Sequence, residues 1–383
     1  MRKICFVINN RANYARIKSA IRECTLRNDI KVQIVVGASG LIDRFGDVVE
    51  IIKKDGFEVN EKLHTVVEGN EPVSMVKTTA MSLLALSEVF YRTNPDIVVT
   101  VADRFETIAT AIAASYMNIP LAHTQGGEIT GSIDDNVRHS ITKLAHIHFP
   151  ATEKAKEVLI GKLGENPECV FQVGCPSIDI ACETKAENIK SLMARYSGVG
   201  ANLDFEKPYI LVSQHSDTLE YIKAKEQISA TLESINSLQY QCIWLWPNMD
   251  SGSDFISKKL REFRENNQNS KIRFYKNFEP QDYINILRNS TCIVGNSSSG
   301  IREASYLGTP SVNVGERQRG RVKLSNVIDV AYNSKEITEA IKVQILKKSY
   351  AQDLTYGDGT SGRQIAEILA TCKLSVKKNP ISN

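Results

Sequence analysis

Apolar residues along this chain fall in short continuous runs separated by longer stretches of helical period. In the first half the runs are Ile4 to Ile8, Val32 to Val36, Ile97 to Val101, Pro120 to His123 and Val170 to Val173. In the second they are Tyr209 to Ser213, Gln241 to Trp246, Ile272 to Tyr275, Cys292 to Val294 and Ser311 to Val314, with helical stretches such as Thr218 to Leu238 and Ser253 to Asn266 between them. Runs that are apolar throughout, rather than at every second residue, predict strands covered on both faces, as in a parallel sheet. The scheme occurs twice. It predicts an α/β fold of two doubly wound Rossmann-like domains, with ligands in the interdomain cleft, because open α/β sheets bind at the carboxyl ends of their strands. The expected bounds are 1–182 for the first domain, 183–206 for a polar linker containing Gly198 and Gly200, and 207–360 for the second. A last helix from about Ser361 to Leu374, within 361–383, is expected to pack back on the first domain.

Composition narrows the class. The 383 residues are 42% hydrophobic and 24% charged, and 47 basic against 44 acidic side chains leave a net charge of +3. That balance excludes disorder and gives no basic stripe for a nucleic-acid backbone. Ile4 to Ile8 is too short for the core of a signal peptide, and no apolar run approaches the roughly 18 residues of a membrane span, so the expected location is the cytoplasm and no membrane partner is expected. Eight cysteines occur without a CxxC pair, several inside apolar runs, and read as reduced and structural.

Polar chemistry collects where strands end. Asn9-Asn10-Arg11-Ala12-Asn13-Tyr14 follows the first run and Ala102-Asp103-Arg104-Phe105-Glu106 the third. Arg11 and Arg104, each directly after an apolar strand, read as ligand contacts rather than surface ion-pair residues. The stretch Thr124 to His139 holds Gln125, Gly126, Gly127, Glu128, Gly131, Asp134 and Asp135, a composition suited to bending closely around a ligand. In the second half, Gln214-His215-Ser216 and Pro247-Asn248-Met249-Asp250 hold the corresponding positions. Bland readings stand beside these. Asp134 or Asp135 can be the N-cap of a helix Val137 to Ala145. His146 and His148 alternate along a strand, but no zinc-type spacing accompanies them, so packing is the better reading and no metal is expected.

The run Gly295-Asn296-Ser297-Ser298-Ser299-Gly300-Ile301-Arg302-Glu303 is the most informative in the chain. A buried strand that enters glycine and hydroxyls and then opens a helix leaves backbone N–H groups aimed at one point, a seat for phosphate. Glu303, about one turn into that helix, can accept hydrogen bonds from the hydroxyls of a ribose. Together they predict a nucleotide-diphosphate site. A serine-rich cap is the alternative for the run taken alone.

As a set, these segments, with Arg138-His139-Ser140-Ile141-Thr142-Lys143-Leu144, Gly174-Cys175-Pro176-Ser177 and Tyr356-Gly357-Asp358-Gly359, resemble the hydrolysing UDP-N-acetylglucosamine 2-epimerases almost end to end. The resemblance implies a GT-B-like glycosyltransferase fold and conversion of UDP-N-acetylglucosamine and water into N-acetylmannosamine and UDP, for sialic-acid-type synthesis. A close branch acts on UDP-N,N'-diacetylbacillosamine. The implied course is elimination of UDP to 2-acetamidoglucal, then hydration with inversion at C2. By resemblance Asp103 and Asp134 match acid/base carboxylates, while Ser297, Ser298, Glu303 and Arg317 match UDP contacts. Arg11, His215, Arg317 and the N–H groups from Ser297 to Gly300 are expected to supply positive potential at the diphosphate, with Asn248 nearby and Phe278 stacking on uracil; no cofactor is implied. Gln125 departs from the pattern, standing where many members carry Glu, and it cannot be a base. Either Gln125 only orients the sugar, or Glu128, three residues later, takes part of the base work. Partners implied are the UDP-sugar, UDP and further copies of this chain as a homodimer or homotetramer. A glycosyltransferase shares the fold but has less use for acid/base groups around C2. A nucleotide-sugar sensor has no need of Asp103, Asp134 and His215 together.

Overall fold

The computed structural model describes residues 1–42, 46–69 and 71–378. The chain divides into two compact units: Met1–Ile129, Ile133–Cys182 and Thr355–Asn383 form the first, Thr130–Ser132 and Glu183–Leu354 the second. The stretch expected as a linker is not a bare connection, since it carries a helix (Ile189–Met193) and belongs to the second unit.

The first unit is built on β1 (Arg2–Ile8), β2 (Ile30–Gly37), β3 (Glu61–Leu63), β4 (Ile97–Val101), β5 (Leu121–Thr124) and β6 (Ile147–Phe149), all parallel in the order β3-β2-β1-β4-β5-β6. This is the doubly wound order, whose reversal between β1 and β4 opens a crevice at the strand ends. β1 is buried from Ile4 to Ile8 and β4 along its whole length, because helices cover both faces. Each fully buried aliphatic side chain there contributes about 1.5–3 kcal/mol. Val170–Val173, expected as a strand, forms one bridge with the sheet, from Val170 to His148. A 3-10 turn at Pro167–Cys169 runs directly into it, and beyond the bridge the amides of Phe171 and Val173 bond to the His148 and Pro150 carbonyls at 2.9 and 3.3 Å, so the segment follows β6 without becoming a full strand.

The second unit holds β7 (Val199–Gly200), β8 (Tyr209–Ser213), β9 (Gln241–Leu245), β10 (Ile272–Tyr275), β11 (Cys292–Gly295), β12 (Ser311–Val314) and β13 (Val327–Val330), in the order β13-β12-β11-β8-β9-β10-β7. Only β7 runs antiparallel, at the edge. Without it the order again reverses once, here between β8 and β11. Two α/β units of this kind are the expected fold class.

The closing helix Ser361–Thr371 belongs to the first unit and buries Ile365, Ala366 and Leu369 in its core. Its start is pinned by buried Asp179, which accepts from the Ser361 and Gly362 amides at 3.1 and 2.6 Å and from Ser19 Oγ at 2.7 Å.

One helix bears on the expectation of no membrane span. Pro72–Thr93 is long and apolar enough, by length and composition, to cross a membrane. Its inner face, Leu86, Val89 and Phe90, packs on the first sheet, while Val76, Leu84 and Tyr91 are exposed. Lys77 and Glu88 interrupt the run, which is why it does not read as continuously apolar. The eight cysteines are all free. Burial pushes the Cys5, Cys24 and Cys292 thiols up to about 12, so they act as small apolar groups.

Candidate active site

In the first unit the site residues stand at the carboxyl ends of β1, β4 and β5. Asn10 caps the short helix Arg11–Ala15 by accepting from the Asn13 amide, and its side chain donates to Glu106 Oε1 at 3.1 Å. Arg104 donates to the same oxygen at 3.0 Å, so Glu106, wholly buried, binds the ends of β1 and β4 together. Asn13 completes the join by donating to the Val101 carbonyl at 3.2 Å. Arg11 begins that helix, half-buried.

Arg138 organises the acid/base stretch. It is wholly buried and reaches three oxygens: one carboxylate oxygen each of Asp103 and Asp135, and the Glu128 carbonyl at 2.7 Å. Burial alone favours the neutral form, yet the Asp103 and Asp135 carboxylates outweigh it and raise Arg138 above its ordinary value. Asp134 and Asp135 are not N-caps. The helix runs Asp134–Leu144 behind Ile133 and has no side-chain cap, so both lie in its first turn, where carboxylates suit the dipole. That register puts Asp135 three residues before Arg138, on one helix face.

Ala102 and Gln125, one residue past paired β4 and β5, both have left-handed backbones, with φ of 60° and 61°. Strain of this kind persists where the surroundings over-determine it and clusters at functional sites. Here it turns the chain sharply just before Asp103 and Gly126. At Gly127, with φ of 80°, a Cβ would lie 2.2 Å from the Ala155 carbonyl oxygen, so no larger residue fits. Gln125 is buried and donates to Cys175 Sγ at 3.0 Å. Cys175 is in turn fixed by its amide bonding to the Tyr356 carbonyl at 2.7 Å, which joins two of the recognised motifs. His123 lies below, its Nε2 2.9 Å from the Ala102 carbonyl; burial holds it down at about 3, neutral. Glu128 is buried as well.

In the second unit the corresponding strand ends carry amides and hydroxyls. The Asn296 side chain, after β11, accepts from the His215 amide at 2.8 Å and donates to the His215 carbonyl at 2.8 Å, clamping the loop after β8. His215 Nδ1 accepts from the Asn248 amide at 3.2 Å, which leaves the proton of the neutral ring on Nε2. Arg317 and Gln318 both donate to the Asn296 carbonyl, at 3.2 and 3.0 Å. Gly295 permits this approach: its φ is 131°, and a Cβ would lie 2.2 Å from the Ser213 carbonyl oxygen.

The serine run differs from expectation. It forms a 3-10 turn, Ser298–Gly300, followed by a helix of only five residues, Glu303–Leu307, so Glu303 begins the helix rather than lying a turn inside it. The amides of Ser299, Gly300, Ile301 and Arg302 bond within the turn, to Ser297 and Ser298. Phosphate binding here would therefore fall to the Ser297 and Ser298 hydroxyls and to Arg317 more than to a helix end. Glu303 itself is 9% exposed, and its Oε2 is buried with no hydrogen-bond partner among the described residues. A buried carboxylate oxygen left in this state is an acceptor awaiting a donor. Phe278 is 1% exposed, packed against Tyr196 and Tyr275 with ring centroids 4.8 and 5.1 Å away. A ring so enclosed serves the core of the second unit and offers no face for stacking on uracil.

The profile of the UDP-N-acetylglucosamine 2-epimerase family matches residues 22–370. The chain belongs to this family. It is 33% identical over 374 residues to the UDP-N,N'-diacetylbacillosamine 2-epimerase (hydrolyzing) of Legionella pneumophila, covering 98% of this chain and 97% of the relative. To the UDP-N-acetylglucosamine 2-epimerase of Neisseria meningitidis it is 25% identical over 372 residues, covering 96% and 95%. The solved structure of S. aureus MnaA with UDP shares the fold, with a TM-score of 0.78 at 20% identity over 96% of each chain.

For a member of this family, three organising residues escape motif reading. Arg138 lies within a recognised segment, but only its burial on the inner face of a helix, between two carboxylates, reveals its work. Asn296 and Glu106 likewise act through partners about 80 and 96 residues away. The signal that could have found Arg138 is its spacing of three from Asp135 and four from Asp134 on a helix.

Proposed function

We propose that this chain is a hydrolysing 2-epimerase of UDP-2-acetamido sugars, releasing UDP and the free 2-epimeric sugar. The observation that carries this reading is the buried Arg138 with Asp103 and Asp135 on it, at strand ends that also present Asp134 and Glu128. A transferase or a sensor has little use for so many acid/base groups in one place. The C2 proton of such a sugar has no adjacent carbonyl to acidify it, so a carboxylate removes it only as the C1–O bond to UDP breaks. The electron pair of the C2–H bond becomes the C1=C2 double bond of the glycal, and UDP departs with its bonding pair. Water then adds its hydroxyl to C1, and C2 takes a proton on the opposite face. We assign Asp103 and Asp134 to the proton transfers, with Glu128 and Gln125 orienting the sugar and Arg11 and Arg104 beside it. Ser297, Ser298, Glu303, Arg317, His215 and Asn248 are assigned to UDP, whereas the Gly300 amide is taken by the Ser297 carbonyl. The carboxamide of Gln125 is compatible with both sugars considered, and the higher identity to the Legionella enzyme favours diacetylbacillosamine as the 2-acetamido sugar. We further propose a homo-oligomer acting in the cytoplasm, to which the exposed apolar face of Pro72–Thr93 lends itself; sedimentation of the purified chain tests it.

Proton NMR in deuterated water, with each UDP-sugar in a separate tube, tests the activity. The expected result is free UDP and a manno-configured sugar deuterated at C2, with the faster tube naming the substrate. If neither sugar is consumed while UDP still binds, the epimerase reading fails.

A further inference from the structure

At the opposite ends of β5 and β6 from the residues just described, the first unit has a cavity of about 420 Å³. Pro120, Ile147 and Phe171 give it an apolar wall, and the segment after the last helix supplies Lys373, Lys377 and Lys378. Glu165 anchors its polar side. This carboxylate, 4% exposed, is bound by Lys378 at 2.6 Å, by His148 Nε2 at 3.1 Å and by Lys143 at 3.1 Å. Burial works to raise Glu165, but the bonds from His148 and Lys378 overcome it and hold the carboxyl down at about 2. One negative charge is thus shared by two ammonium groups. Lys378 also donates to the Thr142 and Lys143 carbonyls at 2.9 and 3.0 Å, which fixes the segment carrying Lys377 against the cavity.

The ammonium groups of Lys373 and Lys377 have no ion pair among the described residues. Four lysines against Glu165 and Glu168 leave the lining positive. A volume of this size suits a small organic molecule rather than an ion alone. Lysines present compact charges without the planar fork of arginine, and so accept phosphate and carboxylate alike.

We propose that this cavity is a binding site for a small organic anion, a sugar phosphate or sugar acid, whose charge meets Lys373 and Lys377 while its body lies against Ile147 and Phe171. None of these residues belongs to the candidate active site, so the site is independent of the activity assigned above. Calorimetric titration of the full chain, with UDP kept saturating to occupy the second unit, tests it. The probes are N-acetylglucosamine 6-phosphate, glucuronate and neutral N-acetylglucosamine. At least one anion binds one to one with a Kd of about 1 mM or tighter, weakens as salt rises, and weakens about tenfold or more in Lys373→Ala/Lys377→Ala, whose UDP affinity is unchanged. Tighter phosphate or tighter glucuronate names the source. The proposal is overturned if the neutral sugar binds the wild type as well as both anions do, if no probe binds, or if the double variant binds the anions as tightly as the wild type.

Discussion

The two units repeat one topology and fill its crevice with opposite chemistry. Where the strand order reverses in the first unit, between β1 and β4, the strand ends carry Glu106, Arg104 and Asp103, with Arg138 buried against the last. At the same place in the second unit, between β8 and β11, an amide from Asn296 clamps the backbone of His215, and serines follow. A parallel sheet fixes where a ligand can lie, but the residues just past the strands decide whether a place can move protons or only hold a molecule. Low dielectric makes each buried charge around Arg138 strong, whereas the second unit relies mostly on neutral donors and acceptors, which cost less to bury, beside the charged Glu303 and Arg317.

The contrast breaks most sharply at Asp103. Asp103→Asn keeps shape and removes the carboxylate assigned to proton transfer above, so turnover should fall by about a thousandfold or more, with UDP affinity within a few-fold of wild type. Steady-state kinetics beside UDP titration decides, and an active variant would remove Asp103 from the chemistry. Arg138→Met should cost about 3–5 kcal/mol of stability, because it leaves Asp103 and Asp135 without their buried counter-charge. Urea unfolding reads this directly, and a loss below about 1 kcal/mol would mean that solvent, not Arg138, compensates them.

A smaller effect sharpens the binding half. Glu303→Ala should weaken UDP by about 1–3 kcal/mol while leaving the rate of bound substrate nearly unchanged; unaltered UDP affinity would return Glu303 to a merely structural first-turn carboxylate. The last effect is in pH. His123 is held at about 3 in the fold, against 6.5 for the free group. Below pH 6.5 the unfolded chain therefore binds a proton that the folded one refuses. Stability from this group is complete above pH 6.5 and is lost as pH falls toward 3, by up to about 1.4 kcal/mol per unit. Urea midpoints from pH 7 to 4 should fall less steeply for His123→Asn than for wild type, and parallel slopes would refute the buried neutral ring.

The interior strands were legible because burial on both faces writes them as unbroken apolar runs; β4, β8, β10 and β12 coincide with those runs. Two edge strands were not. β3, Glu61-Lys62-Leu63, is short and charged, and β13 is only half-buried, so neither carries the pattern. Val170 to Val173 misled in the other direction, being apolar enough for a strand yet reaching only one bridge and two amide bonds beside β6. Among candidate site residues, position after a strand marked Asp103, His215 and the serine run, since a polar residue there has few other reasons to exist. What one residue does for another was out of reach: that Arg138 holds two carboxylates depends on packing between elements, as does the enclosure of Phe278.

The discontinuity of the first unit has a consequence for biogenesis. Its core is incomplete without Ile365, Ala366 and Leu369, near the end of the chain, whereas the second unit is almost wholly contained within 183–354. On the ribosome, domains usually fold in order from the N-terminus. Here the later-made half can reach its native state first, and the earlier half must wait, its Ser19 hydroxyl and Asp179 carboxylate unable to find the Ser361 and Gly362 amides until those residues have left the ribosome. A nascent chain stalled before residue 355 would thus present one folded half and one that still depends on chaperones.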